Sequence, residues 1–407
     1  MQDLTVDRER VVNAVHPSIA LKKQFFLITC VGLVFMNFLT FAYHLSGSNL
    51  FNVLSNVVSL LLIAYSFYLV LIAGKGSTFY VVLLVLSCAF VGASCLANVN
   101  SFDIAAAFKY LSLYSFFVAG RSVSRRFRRS EKRCLYALIG LPLFFKLIGE
   151  TKIYTGFEYP DVFSYFPNTN TAALYFSAVF FALSPWFGNK VLVLQFVNAA
   201  VMNRVGPALA TILSFGIWSI FPLRVQVFVA FFLVGIGGLL AFELGAADRF
   251  ITGLNAIALI WSLEPSTIAR MPARQLIELT GSTDMSAFFR IGHWSNIWQI
   301  YSSQGLGGIL FGYGANQTWV LTVLPLPPHN DYLRVMAEYG LLNLLIFVPF
   351  VLSIAVSIRQ QAARILFTVL LIYFFSENLL DNFTSMALFF SNAGRFTSGR
   401  PSVTGYA

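Results

Sequence analysis

Apolar runs of membrane-spanning length recur along this whole chain, and no other feature restricts its fold so tightly. A helix crossing a bilayer needs about 20 largely apolar residues, because only a helix satisfies its own backbone groups where water is absent. Such runs are read at 24–43, 51–73, 78–97, 103–120, 134–149, 171–187, 190–203, 205–222, 225–245, 333–357, 364–380 and 383–394. Several are short. The pair 190–203 and 205–222 is separated only at Asn203–Arg204, which reads as a tight helical hairpin. Composition agrees: 57% of residues are hydrophobic and 11% charged, against about 25% charged in a soluble domain. The expected fold is all-α, a polytopic bundle of about twelve transmembrane helices in one membrane domain, residues 1–407. The first segment, Met1–Lys23, is polar. The run after it is long enough to span and stay, so no cleavable signal peptide is expected.

Charge orients the bundle. The formal net charge is +10, and cytoplasmic loops collect Lys and Arg. With Arg8, Arg10, Lys22 and Lys23 inside, the alternating loops also put Lys75, the run Arg121–Arg133, Lys190, Arg224, Arg359, Arg364, Arg395 and Arg400 inside. The opposite side keeps few cations. The basic loop 121–133 reads as a cytoplasmic anchor that needs no ligand. Charge this dispersed does not fit nucleic-acid binding. Cys30, Cys88, Cys95 and Cys134 lie in or beside apolar runs and form no Cys/His cluster. They read as small core residues, and no metal site is expected.

Two outer loops are long, 150–170 and 246–330. The second is large enough to build structure outside the bilayer. Residues 251–263 of it are apolar and read as interfacial, whereas 286–304 read as an amphipathic helix with Trp and Tyr at the lipid boundary. The glycine-rich stretch Gly305–Gly314 lacks the Lys-Ser/Thr of a phosphate loop and reads as a turn for close packing.

The cations on this side carry the chemical reading. Arg204 is either an exposed turn residue or a cation aimed into a cavity to bind an anion. Arg290, Trp294 and Trp298 share a helix face. Arg290 either snorkels beside these aromatics or binds a ligand. His329 follows Pro327 and Pro328 at the mouth of a long apolar helix, where it caps, packs or moves a proton. Asn330 or Asp331 can cap that helix, and Asp331 can instead orient His329. Arg334 and Glu338, four apart, are expected to pair. Lys109 and Lys146 are further buried-cation candidates, and Asp103, Glu377, Asn378 and Asp381 are polar groups near the outer face. Arginines donate to phosphate oxygens in a fixed planar fork, and a neutral histidine can accept a hydroxyl proton. Together these groups suit transfer of a sugar from a diphospholipid.

These residues resemble a known family. His329-Asn330-Asp331-Tyr332-Leu333, followed by Glu338-Tyr339-Gly340, resembles the His-Asn-x-x-Leu … Glu-x-Gly signature of the O-antigen ligase and polymerase superfamily. Asn203-Arg204-Val205-Gly206 is similar to its Ser-Arg-Thr-Gly turn, with Asn and Val replacing Ser and Thr. Arg290 … Trp294 is similar to its Arg-x-x-x-Trp, and Asn168-Thr169-Asn170-Thr171-Ala172-Ala173 to its Asn-x-Asn-x-x-Ala segment. The likeness covers roughly residues 160–380; the N-terminal third matches only in hydropathy. It implies a C-type glycosyltransferase-like fold in the bacterial inner membrane, with the N-terminus cytoplasmic and the active site in the periplasm. It implies an undecaprenyl-diphosphate-linked oligosaccharide as donor. The acceptor is a second lipid-linked glycan for a polymerase or lipid A-core for a ligase. A chain-length regulator is an expected partner, and no cofactor or metal is expected. Arg204 and Arg290 match the diphosphate-binding positions, and His329 matches the residue that activates the acceptor hydroxyl. Asn330, Asp331, Arg334 and Glu338 are taken as substrate-binding neighbours. The polar segment Ser376-Glu377-Asn378 … Asp381-Asn382 favours an O-antigen or exopolysaccharide polymerase over a ligase. A transporter or flippase of lipid-linked glycan is the alternative from another class; the absence of an obvious internal repeat and the large one-sided loop count against it.

Overall fold

The computed structural model describes residues 17–73, 78–99, 101, 103–122, 126–148, 164–166, 169–202, 205–219, 267, 270–280, 286–322, 326–398 and 402–403. Among these the chain is helical apart from two short strands. The order is α1 (Pro17–Ser46), α2 (Asn49–Ala73), α3 (Thr78–Ala97), α4 (Ile104–Ser122), β1 (Arg126–Phe127), α5 (Arg129–Ile148), α6 (Thr169–Phe187), α7 (Lys190–Val201) and α8 (Val205–Ser219). Then come α9 (Ala273–Thr280), α10 (Ser286–Ser302), α11 (Leu306–Phe311), α12 (Asp331–Ser357), α13 (Gln361–Tyr373), α14 (Phe383–Thr397) and β2 (Ser402–Val403). Eleven of the twelve expected spans overlap helices, although the helix under 364–380 already ends at Tyr373. The twelfth, 225–245, lies outside the described residues, as do the apolar stretch 251–263 and most of the loop 150–170.

Among the described residues, four segments are long and apolar enough to cross a membrane: Gln24–Ser46, Asn49–Ile72, Thr78–Ala97 and Asp331–Ser357. Shorter apolar helices add Lys190–Val201, Gly206–Trp218 and Gln361–Tyr373. The protein is a helical membrane protein. Its most apolar helices lie outermost. On α2 and α3 large side chains such as Leu61, Leu71, Val82 and Val85 are exposed, which suits a surface bathed in lipid. Helix α4, interrupted by serines, is buried from Tyr110 to Gly120. Its Ser115 hydroxyl bonds to Ser66 of α2 at 2.6 Å.

Helix α14 also lies inside. The run 383–394 is read above as a span, but its helix has 15 residues. It rises only about 22 Å at 1.5 Å per residue, short of a hydrocarbon core of about 30 Å. It crosses α4 at small residues. A Cβ on Gly120 would lie 2.1 Å from the Ser391 carbonyl oxygen, and one on Gly394 would lie 2.2 Å from that of Phe117. Only glycine permits backbones this close.

The basic loop takes part in the packing. Arg126 and Phe127 pair in parallel with Ser402 and Val403. Glu131 on α5 accepts from Arg395 of α14 at 3.0 Å, with both side chains buried. The Arg395 guanidinium also stacks on Phe127 at 3.9 Å and Phe26 at 4.6 Å. Arg395, grouped above with exposed cytoplasmic cations, is therefore a core residue. Removing one member of a buried pair strands the other and costs about 3–5 kcal/mol. Glu131→Ala should lower the thermal midpoint of the detergent-solubilised protein and its level in membranes. Melting unchanged from wild type would show that the pair contributes little.

The N-terminal part of α12 is built around a break. Gly340 has φ 84° and ψ 170°, which interrupts the helix. The freed carbonyls of Ala337 and Glu338 accept instead from the amides of Tyr313 and Gly314, each at 2.9 Å. Non-helical backbone is tolerated at membrane depth only where protein groups satisfy it in this way. Gly312, at φ 72°, allows the contact, since a Cβ there would lie 2.6 Å from the Glu338 backbone. The glycine-rich stretch thus serves close packing, as its sequence suggests.

Candidate functional site

The Asn330 side chain caps α12 by accepting from the Leu333 amide at 3.0 Å. This leaves His329 outside the helix, at φ 50°. That left-handed conformation strains a non-glycine residue by about 1–3 kcal/mol and is enriched where a side chain must be aimed. Helix α10 holds the segment before it. The Trp294 indole donates to the Pro328 carbonyl and packs edge-on against Phe375 at 5.5 Å. One residue earlier, His293 Nε2 lies 3.0 Å from the Leu326 carbonyl. A carbonyl only accepts, so Nε2 carries the proton. Burial pushes the His293 pKa below the ordinary histidine range; His329 acts in the same direction and the Leu326 carbonyl against it.

The loop between α13 and α14 is stitched to the first turn of α12. The Asp331 amide donates to the Phe374 carbonyl at 2.7 Å. The Asp331 carboxylate accepts from the amides of Leu379 at 2.7 Å and Leu380 at 3.3 Å. Tyr332 donates to the Leu371 carbonyl at 3.0 Å. These bonds bring Glu377 to His329, with Oε2 3.5 Å from Nδ1. Glu377 Oε1 accepts from Arg290 of α10 at 2.8 Å and from Asn170 of α6 at 2.8 Å. Three separated segments therefore converge on the carboxylate of a fourth. The His329 and Arg290 side chains keep 32% and 29% of their exposure, against 12% for Glu377. The histidine and arginine are thus the groups an incoming molecule can touch.

Several expectations change here. Asp331 does not orient His329: it is fully buried and spends its accepting oxygen on backbone amides. Glu377 faces the histidine instead. Arg334 and Glu338 pair as expected, at 3.0 Å. Both are buried, however, and their other bonds are internal. Arg334 reaches Asp381 at 2.5 Å and Asn316 at 3.5 Å, and Glu338 accepts from Thr318 at 2.5 Å. Asn330, Asp331, Arg334 and Glu338 thus form the scaffold under the site and present little surface to a substrate. Lys109 is half-buried and Lys146 exposed. Arg204 lies outside the described residues, as do Asn203 and Asn168. Glu377 is absent from the residues first weighted as catalytic or substrate-binding. Its signal was there, a carboxylate between Ser376 and Asn378 at the end of an apolar run, but nothing in the sequence pairs it with position 329.

The cluster can hold an anion on a guanidinium while an adjacent imidazole accepts a proton. Comparison of the chain with protein-family models and with curated proteins found no match.

Proposed function

We propose that this protein is a membrane glycosyltransferase that polymerises oligosaccharide repeat units carried on undecaprenyl diphosphate, at the periplasmic face of a bacterial inner membrane. The observation that carries the reading is the meeting of His329, Arg290 and Asn170 around Glu377, since each comes from a separate segment with the sequence resemblance described above. On this reading the bundle has about twelve spans and a C-type glycosyltransferase-like architecture.

The chemistry follows from the groups. The acceptor hydroxyl oxygen attacks the anomeric carbon of the donor sugar. Its proton passes to His329 Nε2 as the new C–O bond forms. The bond from the anomeric carbon to the phosphate oxygen breaks, and undecaprenyl diphosphate leaves with the electron pair. Arg290 and Arg204 neutralise the charge growing on that diphosphate; Arg204 enters from the sequence resemblance alone. On closing to Nδ1, Glu377 accepts its N–H and so leaves Nε2 free to take the proton. The separation of 3.5 Å is slightly long for a hydrogen bond, as catalytic contacts often are before substrate tightens them.

Purified protein in detergent, given lipid-linked repeat units, should produce a ladder of lengthened glycans. Arg290→Ala and Arg204→Ala should each lower the yield by about a hundredfold or more while the variants still reach the membrane. A single transfer to lipid A-core with no ladder would make the protein a ligase. Movement of lipid-linked glycan across vesicles with no new glycosidic bond would make it a transporter.

A further inference from the structure

Arg290, the most accessible guanidinium of the cluster, is not waiting empty. A protein carboxylate already sits on it at 2.8 Å, and the second oxygen of that carboxylate faces His329 at 3.5 Å. One negative charge is therefore shared between a guanidinium and an imidazole. Asn170 steadies the shared oxygen Oε1 at 2.8 Å without adding charge. An anion arriving at Arg290 meets Glu377 as a like-charged competitor, and like charges this close repel strongly in a partly buried site.

We propose that Glu377 is a positioning residue that holds the place of the substrate's diphosphate on Arg290 and, when an anion takes the guanidinium, gives its carboxylate to His329 alone. This rests on the glycosyltransferase reading for what the anion is. It rests on the three distances alone for where the anion goes. Two consequences follow. Without substrate, His329 has only part of a carboxylate as its partner and stays weakly oriented. With substrate, Glu377 loses Arg290 and closes on Nδ1, so the base is aligned when a donor is present. Donor occupancy and base alignment become one event, which guards the site against attack by stray hydroxyls. The charged and titratable groups around His329 that take part are Glu377 and Arg290, with His293 behind the Leu326–Pro328 segment.

The variant Glu377→Gln removes the charge and keeps an oxygen that can accept from Arg290 and Asn170. The probe is inorganic pyrophosphate, titrated by calorimetry into the full-length protein in detergent. Affinity should rise about tenfold over wild type, because the competing charge is gone. Glycan extension by the same variant should fall about a hundredfold or more in kcat, with KM for the lipid-linked donor unchanged or lower. A residue that merely braces the loop would weaken binding and turnover together. Pyrophosphate affinity equal to or below that of wild type overturns the proposal, and so does failure of both proteins to bind pyrophosphate. If Glu377→Gln does not accumulate, Glu377→Asp serves. Its shorter carboxylate reaches Arg290 poorly and should also tighten pyrophosphate; unchanged binding overturns the proposal there too. Tighter pyrophosphate binding in a protein that never extends glycan would keep the exchange and discard the glycosyltransferase reading.

Discussion

His329→Asn should lower glycan extension by about 10²–10⁴-fold, the usual contribution of a general base, while the protein accumulates and melts as wild type does. Asparagine is chosen because it tolerates the left-handed backbone found at φ 50° better than most residues. The variant therefore removes the imidazole without adding strain. Alanine confounds the two, since it loses the ring and keeps the awkward φ. Little packing is lost with the ring, because Asn330 makes the helix cap and Trp294 and His293 hold the preceding segment. The measurement is product length from purified lipid-linked repeat units, with thermal melting alongside. Wild-type ladders from His329→Asn would falsify the role of the histidine as base. A collapse in melting temperature would instead mark it as structural.

Gly340→Ala should prevent accumulation altogether. At φ 84° and ψ 170° the backbone occupies a region essentially reserved for glycine. The new Cβ would lie 2.0 Å from the Leu310 carbonyl oxygen, so α11 would have to withdraw. Withdrawal breaks the bonds from the Tyr313 and Gly314 amides to Ala337 and Glu338. The Ala337 carbonyl left without a donor costs about 1–3 kcal/mol, while that of Glu338 keeps only the Ser94 hydroxyl at 3.3 Å. Added to the strain, this is a large part of the 5–15 kcal/mol that typically holds a folded protein. Gly92→Ala is the matched control, since a Cβ there meets nothing within 4 Å. Membrane-fraction immunoblots of the two variants give the comparison. Equal levels would mean that the break in α12 adapts more easily than its contacts indicate.

The two predictions separate what was legible in the sequence from what was not. The segments were legible, because a bilayer imposes a length and an apolarity that show in any window of the chain. Helices α2, α3, α7, α8 and α12 begin and end close to their predicted bounds. The Arg334–Glu338 pair was legible because spacing of four is local geometry, and so was the shared face of Arg290 and Trp294. The residue at the centre of the site was not. Glu377 joins Arg290, His329 and Asn170 only because Asp331 ties the α13–α14 loop to α12 while Trp294 ties α10 to Pro328. Hydropathy also left the surroundings of α14 open. An apolar run reads the same whether lipid or protein surrounds it, and only packing against Gly120 and the Glu131–Arg395 pair puts that helix inside.

By itself, then, the sequence determined that this is a helical membrane protein and where most of its described helices lie, since these follow from composition and local spacing, and it singled out a histidine and an arginine as candidates. The tertiary structure decided which carboxylate lies beside that histidine, which charged residues are buried beneath it, and that α12 breaks at Gly340. Those depend on contacts between residues far apart in the chain, where neither period nor motif carries information.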